Sequence, residues 1–81
     1  MGLKHLDLSH NEINDAGGEL LMKCLTSNIS LVSLNLSKNN LKNSTGRVMV
    51  ESMKQNETLQ VLNVENNEII PTLIEQVAKT L

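Results

Sequence analysis

A repeat of 28 residues governs this chain. Leu3, Leu31 and Leu59 form one column at that spacing, and four more follow it: Leu6/Leu34/Leu62, Leu8/Leu36/Val64, Asn11/Asn39/Asn67 and Ile13/Leu41/Ile69. The segments LKHLDLSHNEI, LVSLNLSKNNL and LQVLNVENNEI therefore align letter by letter without insertion. A fixed period of this size marks an array of supersecondary units, none of which buries its apolar face alone. The chain divides into repeats 3–30, 31–58 and 59–81, read as one repeat domain over residues 1–81.

The apolar period changes inside each repeat. Alternating residues such as Leu6 and Leu8 give period 2, a short strand with one buried face. Further on, Leu21 and Leu25, Met49 and Met53, and Val77 and Leu81 are spaced i, i+4, which is one face of a helix. Met22, Val50 and Ala78 widen that stripe. Each repeat is thus strand, turn, helix, turn, with helices expected to begin near residues 16, 44 and 72. Asp15 and Asn43 are placed to cap the first two. Thr72-Leu73-Ile74-Glu75 reads as a capping box for the third, with Pro71 tolerated just before it. Stacking such units gives an α/β fold, with a parallel sheet on the inner side and helices on the outer.

The motif L-x-x-L-x-[LV]-x-x-N-x-[IL] resembles the leucine-rich repeat, and the period is similar to that of its ribonuclease-inhibitor-like subfamily. The resemblance covers residues 3 to 81. It implies a right-handed solenoid of three strand–helix repeats with the parallel sheet on the concave face, and a non-enzymatic role in binding other proteins. Relatives with this repeat type include a Ran GTPase-activating protein and the actin-capping tropomodulins and leiomodins, so GTPase activation and actin capping are the alternative expectations. The third repeat departs most from the pattern: Leu73 stands in the Gly17 column and Gln76 in that of Leu20 and Val48.

Polar residues at fixed spacing call for structural partners. A buried amide without one costs roughly 2 kcal/mol or more. Asn11, Asn39 and Asn67 follow directly after the strands, so they are expected to form a structural ladder bonding turn backbone. Asn28, Asn35, Asn43 and Asn56 each open an N-x-[ST] triplet. The repeat explains them without glycans, with Asn28 and Asn56 expected in the left-handed conformation just past helix ends. Cys24 shares a column with Ser52 and Thr80 and is expected to be a buried, inert thiol. His5 and His10 lack the spacing of metal ligands and read as surface residues. The Gly17-Gly18 pair reads as close packing. No catalytic motif and no cofactor-binding motif appears.

Between the buried leucines, side chains alternate outward. His5, Ser33 and Val61 form one row, Asp7, Asn35 and Asn63 a second, and Ser9, Ser37 and Glu65 a third. These nine residues make a polar concave surface, the expected protein-binding face. With no Phe, Trp or Tyr and a net charge of -2, the chain has neither stacking rings nor a basic face for nucleic acid. No apolar run approaches the roughly 20 residues that cross a bilayer. One cysteine and no signal-like start suggest a cytoplasmic setting. The single arginine, Arg47, falls at a helix start, which disfavours an arginine finger. Both outer strands are open, so a longer parent array and self-association through these edges are expected.

Overall fold

The computed structural model describes residues 2–81 and places one strand and one helix in every repeat. The strands are β1 (His5–Asp7), β2 (Ser33–Asn35) and β3 (Val61–Asn63). The helices are α1 (Asp15–Ser27), α2 (Asn43–Gln55) and α3 (Pro71–Thr80). The strands form one parallel sheet in the order β1-β2-β3. Its register is the sequence period itself: His5 pairs with Ser33 and Ser33 with Val61, then Leu6, Leu34 and Leu62 align, then Asp7, Asn35 and Asn63. Backbone pairing continues into the turns, where the Leu8 and Leu36 N–H groups donate to the Asn35 and Asn63 carbonyls at 2.8 and 2.7 Å. A three-residue strand is short, but the same bonds recur at every interface, so the stack sums them.

The core is deepest in the middle repeat. Leu34, Leu36, Leu41 and Met49 are at most 1% exposed. In the outer repeats the same columns are half-buried at Leu6, Leu8, Ile13, Leu62 and Val64, whereas Leu3 and Leu81 are 58% and 45% exposed. The columns alone place Leu3 and Leu81 in the core. Neighbours decide otherwise: α2 packs against both α1 and α3, while each outer helix packs, among the described residues, on α2 alone. The same asymmetry overturns the reading of Cys24, which is exposed, while its column mate Ser52 is buried at 4%.

Glycines set the helix spacing. A Cβ on Gly18 would stand 2.6 Å from Leu41 Cδ2 and 2.7 Å from Thr45 Oγ1. One on Gly46, in the same column, would stand 2.9 Å from Ile69 Cγ2. Gly18→Ala gains helix propensity of up to about 1 kcal/mol, but it forces Leu41 and Thr45 aside at a cost of about 1–3 kcal/mol. Urea denaturation should show a net loss of stability for this variant.

The helices begin one residue earlier than the expected starts, and their caps differ. The first cap is Asn14, whose Oδ1 accepts from the Gly17 N–H at 3.3 Å. Asp15 lies inside α1 and reaches to the next repeat. Its Oδ1 accepts from the N–H groups of Lys42 and Thr45 at 2.9 and 3.2 Å and from the Thr45 hydroxyl. Asn43 repeats the reach one period later, accepting from the Ile70 N–H at 2.8 Å. Each side chain thus satisfies orphan donors at the start of the following helix rather than of its own. The capping box at Thr72 does not form: Pro71 is already helical, and Ile70, the cap residue, supplies no side-chain bond.

Asp15 makes this link sensitive to acid. The Thr45 hydroxyl, then the Lys42 and Thr45 N–H groups and the Lys42 charge, hold its carboxyl below the ordinary value of 3.8. A lowered folded-state pKa stabilises fully above the ordinary value and is lost as pH falls through the lowered one. Urea midpoints of the parent chain and Asp15→Asn, measured across that window, should converge on the acid side.

Candidate protein-binding face

The sheet presents its outward side chains at a single register. His5 and Ser33, neighbours across β1 and β2, are joined by a 2.6 Å hydrogen bond between Nδ1 and Oγ. Val61 completes that row and is 58% exposed, an isolated apolar group beside polar ones. A shallow depression of about 320 Å³ runs across the three strands here, lined by His5, Asp7, Ser33, Asn35, Val61 and Asn63 among others.

The second row has a structural task as well. Oδ1 of Asp7, Asn35 and Asn63 accepts from the N–H two residues on, in Ser9, Ser37 and Glu65, at 2.9, 2.9 and 3.0 Å. These bonds close the turn that ends each strand. The Ser9 hydroxyl adds a bond of 2.6 Å to Asp7, which with the Ser9 N–H and the nearby His10 charge lowers the Asp7 pKa. The amide Nδ2 groups of Asn35 and Asn63 have no partner among the described residues, so they remain available as donors. The third row is uneven: Glu65 is exposed and Ser9 half-buried, but Ser37, with a repeat on each side, is buried at 8% and drops out of the accessible face.

Below the face runs the asparagine column. Asn39 Oδ1 accepts from the N–H groups of Asn11 and Ile13, at 2.9 and 3.0 Å. Its Nδ2 donates to the carbonyls of Leu8, Leu36 and Ser37. Asn67 Oδ1 accepts from the Leu41 N–H, and its Nδ2 donates to Leu36, Val64 and Glu65. Among the described residues, Asn11 Nδ2 bonds only within its own repeat, to Leu8 and Ser9.

A second ladder lies at the opposite end of the helices. Asn28 and Asn56 are extended, with φ of -77° at both, not left-handed. Their Oδ1 atoms accept from the second and third following N–H groups, and Asn56 Nδ2 donates to the Leu25 and Asn28 carbonyls at 2.7 and 3.2 Å. The left-handed residues are instead His10, Glu12, Lys38 and Asn66. The shared 28-residue spacing of Asn28 and Asn56 is the signal from which the ladder could have been read. Arg47 is exposed on α2, away from the sheet face.

Among the described residues, no cluster of His, Cys, Asp and Glu is arranged to hold a metal ion. Among the same residues, no helix is long and apolar enough to cross a membrane.

A stack of identical strand–turn–helix units with a parallel sheet and an asparagine at every turn defines a solenoid. The Leucine Rich repeat family matches residues 3–22, 27–45 and 55–70, and the chain belongs to that family. Among solved structures, one described as leiomodin-1 actin-binding site 2 has the same fold, with a TM-score of 0.84 and 22% sequence identity. The match covers 96% of this chain and 46% of that one, so the chain spans somewhat less than half its length. No curated protein matches the chain.

Proposed function

We propose that this chain is a non-enzymatic protein-interaction module that engages another protein through its sheet face, as part of a cytoplasmic scaffold. The observation that carries the reading is the alignment of His5, Ser33 and Val61, with the free amides of Asn35 and Asn63, on elements held rigid by the asparagine column. Rigid, preorganised donors around one exposed apolar side chain lower the ordering cost of binding. The 28-residue period supports the ribonuclease-inhibitor-like repeat type within the family. Self-association through the open sides of the outer repeats would use a different surface.

Actin is the second candidate partner, favoured by the fold shared with a structure described as an actin-binding site. GTPase activation has less support, because Arg47 lies on a helix away from the face.

The test uses Val61→Glu, which places a charge in the middle of the face at an exposed position, and Arg47→Glu as a control on the helical side. Partners captured by the parent chain and identified by mass spectrometry should be lost by Val61→Glu, at roughly tenfold or greater cost in affinity, and kept by Arg47→Glu. Retention by Val61→Glu would move recognition to the helices or loops. Co-sedimentation with actin filaments, run on the same three proteins, decides the actin reading.

A further inference from the structure

The turn bonds of the second row decide what the sheet face offers a partner. Asn35 and Asn63 each spend Oδ1 on a turn N–H, in Ser37 and Glu65, at 2.9 and 3.0 Å. What is left of either amide is Nδ2, a group that only donates. Both side chains are half-buried, and among the described residues no buried side-chain polar atom lacks a partner, so the two nitrogens reach solvent. In the row beside them, His5 and Ser33 bond each other at 2.6 Å, and Val61 is apolar and 58% exposed. The middle of the face is therefore two amide donors and one apolar side chain, with the amide oxygens committed to the turns. The donors stand on neighbouring strands, which lie about 4.8 Å apart.

Charge narrows the choice of acceptor. Asp7 flanks the amides on the β1 side and Glu65 on the β3 side, and none of the nine residues in the three rows is Lys or Arg. Neither carboxylate has an ion-pair partner among the described residues. The Ser9 hydroxyl, then the Ser9 N–H, hold the Asp7 carboxyl below its ordinary range, so it stays ionised at neutral pH. An anionic acceptor brought to the amides would stand between two like charges, which opposes binding. A purely apolar group would cover the two amides without pairing them, and a donor left unpaired away from water is costly. An uncharged carbonyl oxygen avoids both penalties, and a basic side chain beside it gains from Asp7 or Glu65.

We propose that the sheet face takes a polypeptide segment that presents uncharged carbonyl oxygens to the Asn35 and Asn63 amides. Those oxygens come from Asn or Gln side chains or from the main chain, with a Lys or Arg close by for Asp7 or Glu65. The inference rests on the reading of this face as the protein-binding surface and adds the chemistry of what binds there. Asp7 supplies the means of testing it without disturbing the fold, because an Asp in this column closes the same turn, its Oδ1 accepting from the Ser9 N–H at 2.9 Å.

Random peptides displayed on phage are selected on the immobilised chain, and an enriched peptide is synthesised and titrated by fluorescence anisotropy. Selected sequences should be richer in Asn, Gln, Lys and Arg than the starting library and poorer in Asp and Glu. Asn63→Asp keeps the turn acceptor and replaces the donor by an anionic oxygen. It should weaken the peptide at least about tenfold, with the urea midpoint of the parent chain retained. Val61→Glu should weaken it too. A peptide that binds Val61→Glu with unchanged affinity sits elsewhere, and the reading of the face falls. Where Val61→Glu does alter binding, selected sequences rich in Asp and Glu, or an Asn63→Asp variant that binds as well as the parent, overturn the donor assignment alone. Tighter binding by either acidic variant would mean that charge, not the amide donors, selects the partner, and overturns it likewise. A library that yields no binder overturns it as well.

Discussion

Leu34→Ala should cost about 3–5 kcal/mol. Leu34 is 1% exposed and lies in the central strand with a repeat on each side, so the surroundings collapse only partly around the lost atoms. A domain of this size has little stability beyond that amount, and the variant should be substantially unfolded in the absence of denaturant. Leu6→Ala and Leu62→Ala remove the same atoms from the same column, but their sites are half-buried and lack a neighbour on one side. Roughly 1–3 kcal/mol is expected for each. Urea denaturation of the three variants at low protein concentration checks the order. A series with equal costs at low concentration would show that position in the stack does not set burial.

Periodicity made the architecture legible. Columns at a constant offset determine strand positions, sheet register and helix starts together, because in a solenoid the sequence period is the structural repeat. They say nothing about environment. Leu3, Leu31 and Leu59 are one column, yet Leu31 and Leu59 are buried and Leu3 is open. Cys24 and Ser52 differ for the same reason. The direction of a short polar side chain was also hidden. An Asp or Asn at a helix start can bond its own turn or the next repeat, and the choice depends on the distance between repeats. Asp15 and Asn43 lie close enough to the next helix to bond it, so they link repeats instead of capping their own. On the candidate face, the rows were readable from alternation. That Asp7, Asn35 and Asn63 also close turns was not, since alternation places a side chain on a face without fixing its hydrogen bonds. Alanine at these three positions is therefore a poor probe of binding, as it removes turn bonds along with surface, and the face is better tested at Val61.

Asn39→Ala should come close to Leu34→Ala in its effect, although it removes a polar side chain. Asn39 is 7% exposed and its amide makes five hydrogen bonds, two accepted by Oδ1 and three donated by Nδ2. Alanine leaves the Asn11 and Ile13 N–H groups without their acceptor, while the Leu8, Leu36 and Ser37 carbonyls keep the bonds from Asn11 Nδ2, Asn67 Nδ2 and the His10 N–H. Each such group costs about 1–3 kcal/mol when left unsatisfied, and partial access of solvent near Asn11 and Ser37 offsets some of the total. For two such groups a loss of about 2–4 kcal/mol is expected by urea denaturation. Asn11→Ala is the internal control. It deletes two bonds, both exposed, and should cost less than about 1 kcal/mol. Asn67, half-buried with its bonds shared between two repeats, should fall between them. Asn39→Asp separates the two halves of the amide. It keeps an acceptor for the Asn11 and Ile13 N–H groups but sets an anionic oxygen against three carbonyls, so it should be nearly as damaging at neutral pH. Protonation restores one donor, and its stability should rise relative to the parent chain as the solution is acidified. Hydrogen exchange at the Ile13 N–H gives a local readout, with protection lost in Asn39→Ala and largely kept in Asn11→Ala. Equal costs at positions 11 and 39 would mean that the amides respond to the turn conformation of their own repeat, and that bonds between repeats add little.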